Sequence, residues 1–184
     1  WEKEELKDFA EVIMGASPSS SFYNEKQVGI PLIQGNADIK NRLSAPRSYT
    51  AEATKKCKIG DILLSVRAPA GTVAISLHDA SIGRGICAIR TESGNSQEYL
   101  YQWLISYEPS WIKISQGGTF DAINSSDIRG LLIPIPEFKE QKKIADLLSS
   151  MDDLIDEQTG KVEALKRHKH ALMQGLFPNV EEVL

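Results

Sequence analysis

"PEFKEQKKIADLLSSMDDLI", residues 136–155, opens the last quarter of a 184-residue chain with a proline and runs directly into an amphipathic pattern. From Ile144 the apolar positions advance in steps of four and three without a break: Ile144, Leu148, Met151, Ile155, Gln158, Val162, Leu165, Lys169, Leu172 and Leu176. Eight of those ten are apolar. A strict seven-residue repeat is the seam of a coiled coil, narrower than the stripe of a helix lying on its own domain. At about 1.5 Å per residue the seam is roughly 50 Å long, more than the width of a domain of this size. Such a seam needs a partner helix, in a second copy of the chain or in a missing half of a longer one.

Thr159 and Gly160 are the weakest helix formers in the run, glycine costing about 1 kcal/mol relative to alanine, and a hairpin there is the alternative reading. The repeat continues in phase through the pair, whereas a turn would reset it. One continuous helix is therefore expected. Gln158 and Lys169 on the seam lower its stability while selecting register and orientation.

Upstream of the helix lie about 135 residues of ordinary globular composition. The whole chain is 41% hydrophobic, 25% charged and 7% aromatic, which excludes a disordered or fibrous protein. No apolar run reaches the roughly 18–20 residues that span a bilayer, and no basic-then-apolar signal opens the chain, so a cytoplasmic protein is expected. The chain starts at Trp1 rather than Met, so a segment upstream is expected to have been removed. Net charge is -4, but it is uneven: residues 22–130 carry twelve basic and ten acidic groups, while both flanking segments are acidic. This weak central excess is compatible with a basic face. Cys57 and Cys87 have no CxxC spacing and no histidine nearby, and are expected to be free structural thiols.

The expected elements are few. A helical turn and a strand over Glu11–Met14 precede a Gly-Ser-Pro-Ser loop, and a strand follows at Ile30–Ile33. Residues 50–57 suggest one or two helical turns. Ile62–Val66 and Thr72–Leu77 read as two strands joined by a tight loop, with another over Gly85–Ile89. Asn95 with Glu98 three residues on forms a capping-box pattern for a helix that Pro109 should stop. "LLIPIP", ending at Pro136, reads as a terminal strand whose prolines put it at a sheet edge. The fold class expected is α+β: a strand-rich mixed domain over 1–136, a long coiled-coil helix over 137–178, and a tail over 179–184.

Catalytic constellations are missing from the sequence. There is no GxxxxGK[ST], no GxGxxG after a strand, no HExxH and no GxSxG. His168 and His170, two apart on a helix, point away from each other and cannot share a metal, and His78 beside Asp79 has no nucleophile in sequence reach. Nor is there an Asn/Asp-Pro-Pro-aromatic motif or a nuclease carboxylate pair with Glu-x-Lys. The chain supports binding rather than catalysis, with no metal or cofactor of its own.

Taken together, "GASPSS", "GIPLIQGNADI", "IGDILLSVRAPAGTVAI", "SIGRGICAIR", "GGTFDAINSSDIRGLLIPIP", "PEFKEQKKIADLLSSMDDLID" and "LMQGLFP" span nearly the whole chain. In this combination the chain resembles the specificity subunits of type I restriction-modification enzymes, in the form of one target-recognition domain followed by one spacer helix. The resemblance implies a non-catalytic subunit that reads one half of a split site in double-stranded DNA. It also implies a methyltransferase subunit that brings S-adenosylmethionine, a motor-nuclease (restriction) subunit that completes the restriction enzyme, and antiparallel pairing of two such helices. This chain departs from the usual pattern of two domains and two helices, so it is expected either to form a homodimer or to be one half of a longer chain. A homodimer would read an interrupted palindrome.

Base edges favour Arg, Lys, Asn and Gln, and phosphates accept from basic, hydroxyl and backbone donors. On that chemistry the candidate DNA contacts are Asn36, Lys40, Asn41, Arg42 and Arg47, then Arg67, then Arg84 between two glycines, and Gln116 and Thr119 around a Gly-Gly pair. A coiled-coil adaptor that binds protein rather than DNA is the alternative.

Overall fold

A computed structural model describes residues 1–116 and 122–177, the side chains of 112–116 excepted. The chain divides into two units, Trp1–Lys143 and Ile144–Leu184. The first begins with β1 (Glu2–Glu5), α1 (Leu6–Phe9), β2 (Ala10–Met14), β3 (Tyr23–Asn24), β4 (Ile30–Ile33), β5 (Ile39–Lys40) and β6 (Leu43–Ser44). It continues through β7 (Ser48–Thr50), β8 (Lys56–Cys57), β9 (Ile62–Ser65), β10 (Val73–Ile75), β11 (Ala80–Ile82) and β12 (Ile86–Thr91). Then come α2 (Gln97–Gln116), α3 (Ser125–Arg129), β13 (Leu132–Ile135) and the start of α4 (Phe138–Leu176). The class is α+β, as expected.

Among the described residues the strands form three sheets: β2-β12-β9-β10-β6-β5, β3-β7-β4-β11-β8, and the pair β1-β13. Neighbours are antiparallel except β6 with β10 and β4 with β11. The core lies between the two larger sheets, where Leu63, Ala74, Ile86 and Ala88 of the first pack with Ile33, Cys57, Ala80 and Ile82 of the second. The intervening residues Ile62, Leu64, Val73, Cys87 and Ile89 are equally buried, on the face where α2 lies against β10 and β12. A strand buried on both faces has no polar alternation, which is why Ile62, Leu63 and Leu64 follow one another without a polar residue between them. The expected edge position of "LLIPIP" is met: Pro134 sits in β13 opposite Lys3, in a sheet of two strands.

Three local expectations are corrected. Residues 50–57 form no helix; the Thr50 hydroxyl donates to the Glu52 carbonyl and accepts its N–H, a side-chain turn that competes with helical bonding. The cap of α2 is Ser96 rather than Asn95: its hydroxyl accepts the Tyr99 N–H at 3.2 Å and donates to Glu98 at 3.0 Å. Pro109 does not stop α2, which runs on to Gln116. Beyond the proline, Trp111 is fully buried, edge-on to Tyr107 at 5.0 Å. Removing a buried tryptophan costs about 3–5 kcal/mol, enough to offset the roughly 3 kcal/mol of an internal proline.

The helix α4 begins within the first unit. There Gln141, 1% exposed, accepts the Ser96 N–H at 2.9 Å and donates to the Pro136 carbonyl at 3.0 Å. In the second unit α4 is continuous through Thr159 and Gly160, so the hairpin alternative falls. At about 1.5 Å per residue its 39 residues measure roughly 58 Å.

Candidate nucleic-acid interface

Several strand ends meet at one end of the six-stranded sheet. β12 runs antiparallel to β9 with Ile86 opposite Ser65, so the exit of β9 lies beside the entry of β12. The Val66 N–H accordingly donates to the Gly85 carbonyl at 2.9 Å. Val73 at the entry of β10 opposes Leu64, and β6 runs parallel to β10, which brings Asn41 and Arg42 to the same end. β2 leaves there as well, the Gly15 N–H donating to the Ile86 carbonyl at 2.9 Å. The second sheet contributes the exits of β4 and β11, joined by the Gly83 N–H to the Ile33 carbonyl at 2.8 Å. Residues 122–124 close the rim, with the Ile123 N–H on the Val66 carbonyl at 2.9 Å.

The floor of this rim is backbone against backbone. A Cβ on Gly15 would lie 2.1 Å from the Gly83 carbonyl oxygen, and one on Gly85 would lie 2.4 Å from that of Gln34, so neither position admits a side chain without movement.

The fold gathers Asn36, Asn41, Arg42, Arg67 and Arg84 at this rim, with Lys40 next to them on the edge strand β5. Arg84 is exposed between Gly83 and Gly85, and its N–H donates to the Ser17 hydroxyl at 3.1 Å. Arg67 is exposed where the chain bridges to Ala122. Asn36 opens a short 3-10 turn after β4, and its buried Oδ1 has no hydrogen-bond partner. Lys40 and Asn41 are exposed, Asn41 in the left-handed region at φ 49°.

Two of the candidate arginines have acidic partners. The Arg42 guanidinium donates to both Glu108 oxygens, at 2.6 and 3.0 Å, and to the Val73 carbonyl at 3.1 Å. Glu108 also accepts the Val73 N–H at 2.7 Å, so the pair ties β6, β10 and α2 together under the rim. Arg47 donates through Nε to the buried Asp38 carboxylate at 3.0 Å, whose other oxygen accepts the Gln34 N–H at 2.8 Å. Gln116 ends α2 with its side chain outside the described residues, and Thr119 lies outside them altogether.

The sequence reading passed over Thr54 and Lys55. The Thr54 hydroxyl donates to the Ala16 carbonyl, and the Lys55 carbonyl accepts the Ile82 N–H at 2.9 Å, which puts both beside the rim. The run Lys55-Lys56-Cys57-Lys58 carries a charge signal that could have found them, had the segment not been read as helical turns.

Reactive groups elsewhere are muted. Burial pushes the Cys87 thiol up to about 12 and raises that of Cys57, so neither is a thiolate near neutral pH. Both cysteines are free. His78 Nδ1 lies 2.7 Å from the Ser44 hydroxyl, but that hydroxyl already accepts the Leu77 N–H at 2.8 Å and belongs to a buried residue of β6. Among the described residues, no group of three or more His, Cys, Asp or Glu is placed to hold a metal ion, and no helix is long and apolar enough to cross a membrane.

On α4, Ile144 is half-buried, and Leu148, Met151, Ile155, Gln158, Val162, Leu165, Lys169, Leu172 and Leu176 are all exposed. The seam has the spacing of a coiled coil, and from Leu148 to Leu176 none of it is covered by other described residues.

Comparison with known proteins bears on both surfaces. Residues 1–167 match the model of the type I restriction modification DNA specificity domain. Relatives in Methanocaldococcus jannaschii include the provisionally designated type I restriction enzyme MjaX specificity subunit, 36% identical over 96% of this chain and 42% of its own length. Among solved structures, one from a study of assembly and conformational transition of the type I R-M system aligns with a TM-score of 0.80 at 32% identity, over 96% of this chain and 43% of that one. The HsdS subunit of Thermoanaerobacter tengcongensis aligns at 0.72 and 33%, over 91% of this chain and 39% of that one. The chain thus spans somewhat under half the length of the relatives it matches.

Proposed function

Because this chain belongs to the type I restriction-modification DNA specificity family, we propose that it is a non-catalytic subunit whose rim reads one half of a bipartite target in double-stranded DNA. The observation that carries this reading is the convergence of Asn36, Asn41, Arg67 and Arg84, from three separate loops, at one rim where strands of both larger sheets end. Arginine can pair with guanine, and the exposed Asn41 with adenine, through two hydrogen bonds each in the major groove, whereas Asn36 with its buried Oδ1 can offer only its Nδ2. Lys40 and Lys55 at the margin supply phosphate contacts, which fix register without reading sequence. Arg42 and Arg47 act beneath them as braces, holding the loops through Glu108 and Asp38.

The exposed seam of α4 pairs antiparallel with a like helix and serves as a spacer between two reading domains. Methyl transfer and its S-adenosylmethionine belong to a methyltransferase subunit that this chain recruits, with a restriction subunit completing the nuclease. One helical turn of B-DNA is about 34–36 Å, so half-sites separated by an unread gap can face one side of the duplex.

Co-expression with the cognate methyltransferase, followed by genome-wide mapping of methylated adenines, tests this. A split motif that disappears when this chain is omitted is expected, and methylation independent of the chain would refute the reading. The complex should also bind duplex DNA with a steep dependence on salt, which a protein-binding adaptor would lack.

A further inference from the structure

The helix α2 is pinned at both of its ends. At its start the Gln97 side chain accepts the Thr91 N–H at 2.8 Å and donates to the Ile89 carbonyl at 3.1 Å, while the Tyr99 hydroxyl donates to the Pro134 carbonyl at 2.8 Å. Toward its other end Glu108 takes the Val73 N–H and the Arg42 guanidinium beneath the rim. There too Trp111 lies close under the loop that follows Arg67: a Cβ on Gly71 would sit 2.7 Å from its own Cβ. From Gln97 to Glu108 the helix rises about 17 Å. The start of α2 also holds the root of α4. Of residues 137–143, all but Gln141 are exposed. The Gln141 side-chain oxygen accepts the Ser96 N–H, at the cap of α2, at 2.9 Å. Its nitrogen donates to the Pro136 carbonyl at 3.0 Å and reaches toward Asn95 Oδ1 at 3.5 Å. Both polar atoms of this buried amide are matched, and turning the side chain away would strand buried donors and acceptors.

We propose that Gln141 is a positioning residue: it locks the root of α4 to the start of α2, so that α2 acts as a strut fixing the distance from the reading rim to that root. The inference deepens the DNA-reading role proposed above and rests on it. An apolar side chain of the same volume would fill the site equally well. Hydrogen bonds to two separate elements, the cap of α2 and the residue that ends the β13 segment, select one position within it. The consequence for DNA lies in the unread gap between half-sites. One added base pair moves the far half-site by about 3.4 Å along the duplex and turns it by about 35° around the axis. A root held at one distance from the rim accepts one gap length without deforming the duplex. A root free to shift accepts the neighbouring lengths as well. Gln141 thus bears on gap length while touching no DNA, and the residues of the rim bear on the bases.

The test uses the full chain in its complex with the cognate methyltransferase. Gln141→Met keeps the buried volume and loses both hydrogen bonds. It is expected to methylate the same half-site bases, while discrimination against gaps one base pair longer or shorter falls about tenfold. Gln141→Asn, one methylene shorter and able to satisfy one partner at a time, should relax the gap less. A single unchanged gap in both variants, even with a lowered melting temperature, marks a structural role alone and overturns the inference. A change of bases within the half-sites overturns it too, because the lock lies at the opposite end of α2 from the rim. In the unmutated chain the Ser96 N–H is expected to exchange with solvent as slowly as those of β9, and exchange at the rate of an exposed loop overturns the lock whether or not a variant folds. An unmutated complex that yields no split motif refutes the DNA-reading role itself, and so is told apart from failure of the lock.

Discussion

Glu108→Ala should destabilise the recognition domain, and the reason separates brace from reader at the rim. Glu108 accepts the N–H of Val73, which is fully buried, and both terminal nitrogens of Arg42. Losing the acceptor of a buried N–H costs about 1–3 kcal/mol. The charged pair is side-chain exposed to 24% at Glu108 and 44% at Arg42, so solvent screening keeps its share to about 1 kcal/mol. The sum is about 2–4 kcal/mol, and urea unfolding with a double-mutant cycle over Glu108→Ala, Arg42→Ala and the pair should show a coupling near 1 kcal/mol. The methyltransferase complex carrying Arg42→Ala should keep its salt slope for DNA binding, because that guanidinium is held by Glu108 rather than offered to a phosphate. A coupling indistinguishable from zero, together with a reduced slope, would refute the assignment and make Arg42 a DNA contact.

The remaining predictions concern the rim, the thiols and the spacer. Arg84→Ala and Arg67→Ala, each measured in the methyltransferase complex, should either lower the salt slope by about one or relax one base of the mapped motif, at less than about 0.5 kcal/mol in stability. Gly85→Ala should destabilise by about 1–3 kcal/mol or more in thermal unfolding, since its methyl would meet the Gln34 carbonyl at 2.4 Å. Cys87, with its thiol pushed up to about 12, should resist thiol reagents at pH 8 in the folded chain and react once urea exposes it. Gly160→Ala, where an added methyl meets nothing within 4 Å, should raise helix stability by about 1 kcal/mol, read by circular dichroism.

Elements governed by local physics were legible in the sequence. Ile30–Ile33 and the run from Ile62 announce themselves through branched apolar residues bounded by loops, and α4 through an unbroken repeat. Elements whose reason lies elsewhere in the chain were not. Ala80–Ile82 is three residues long and is a strand because it finds β4 and β8. α2 passes Pro109 because Trp111 has a site to fill. The same division runs through the candidate interface. Residue chemistry nominated Asn36, Arg67 and Arg84, but their convergence depends on the β9–β12 and β4–β11 pairings. That Arg42 is committed to Glu108, 66 positions away, leaves no trace in its neighbours.

The glycine floor of the rim also bears on how such a protein could change its target. Gly15 and Gly85 are held by contacts of main chain on main chain, which are indifferent to the side chains of the loops above them, while Gly83 lies against Gln34 and the Ser17 hydroxyl. Arg84 sits between two of these glycines, fixed through its own N–H while its side chain points into solvent. New residues at 84 or 67 could alter the preferred bases with little effect on folding, whereas a methyl group at 85 would disturb the socket that holds them. Specificity could thus drift quickly over a foundation that barely changes.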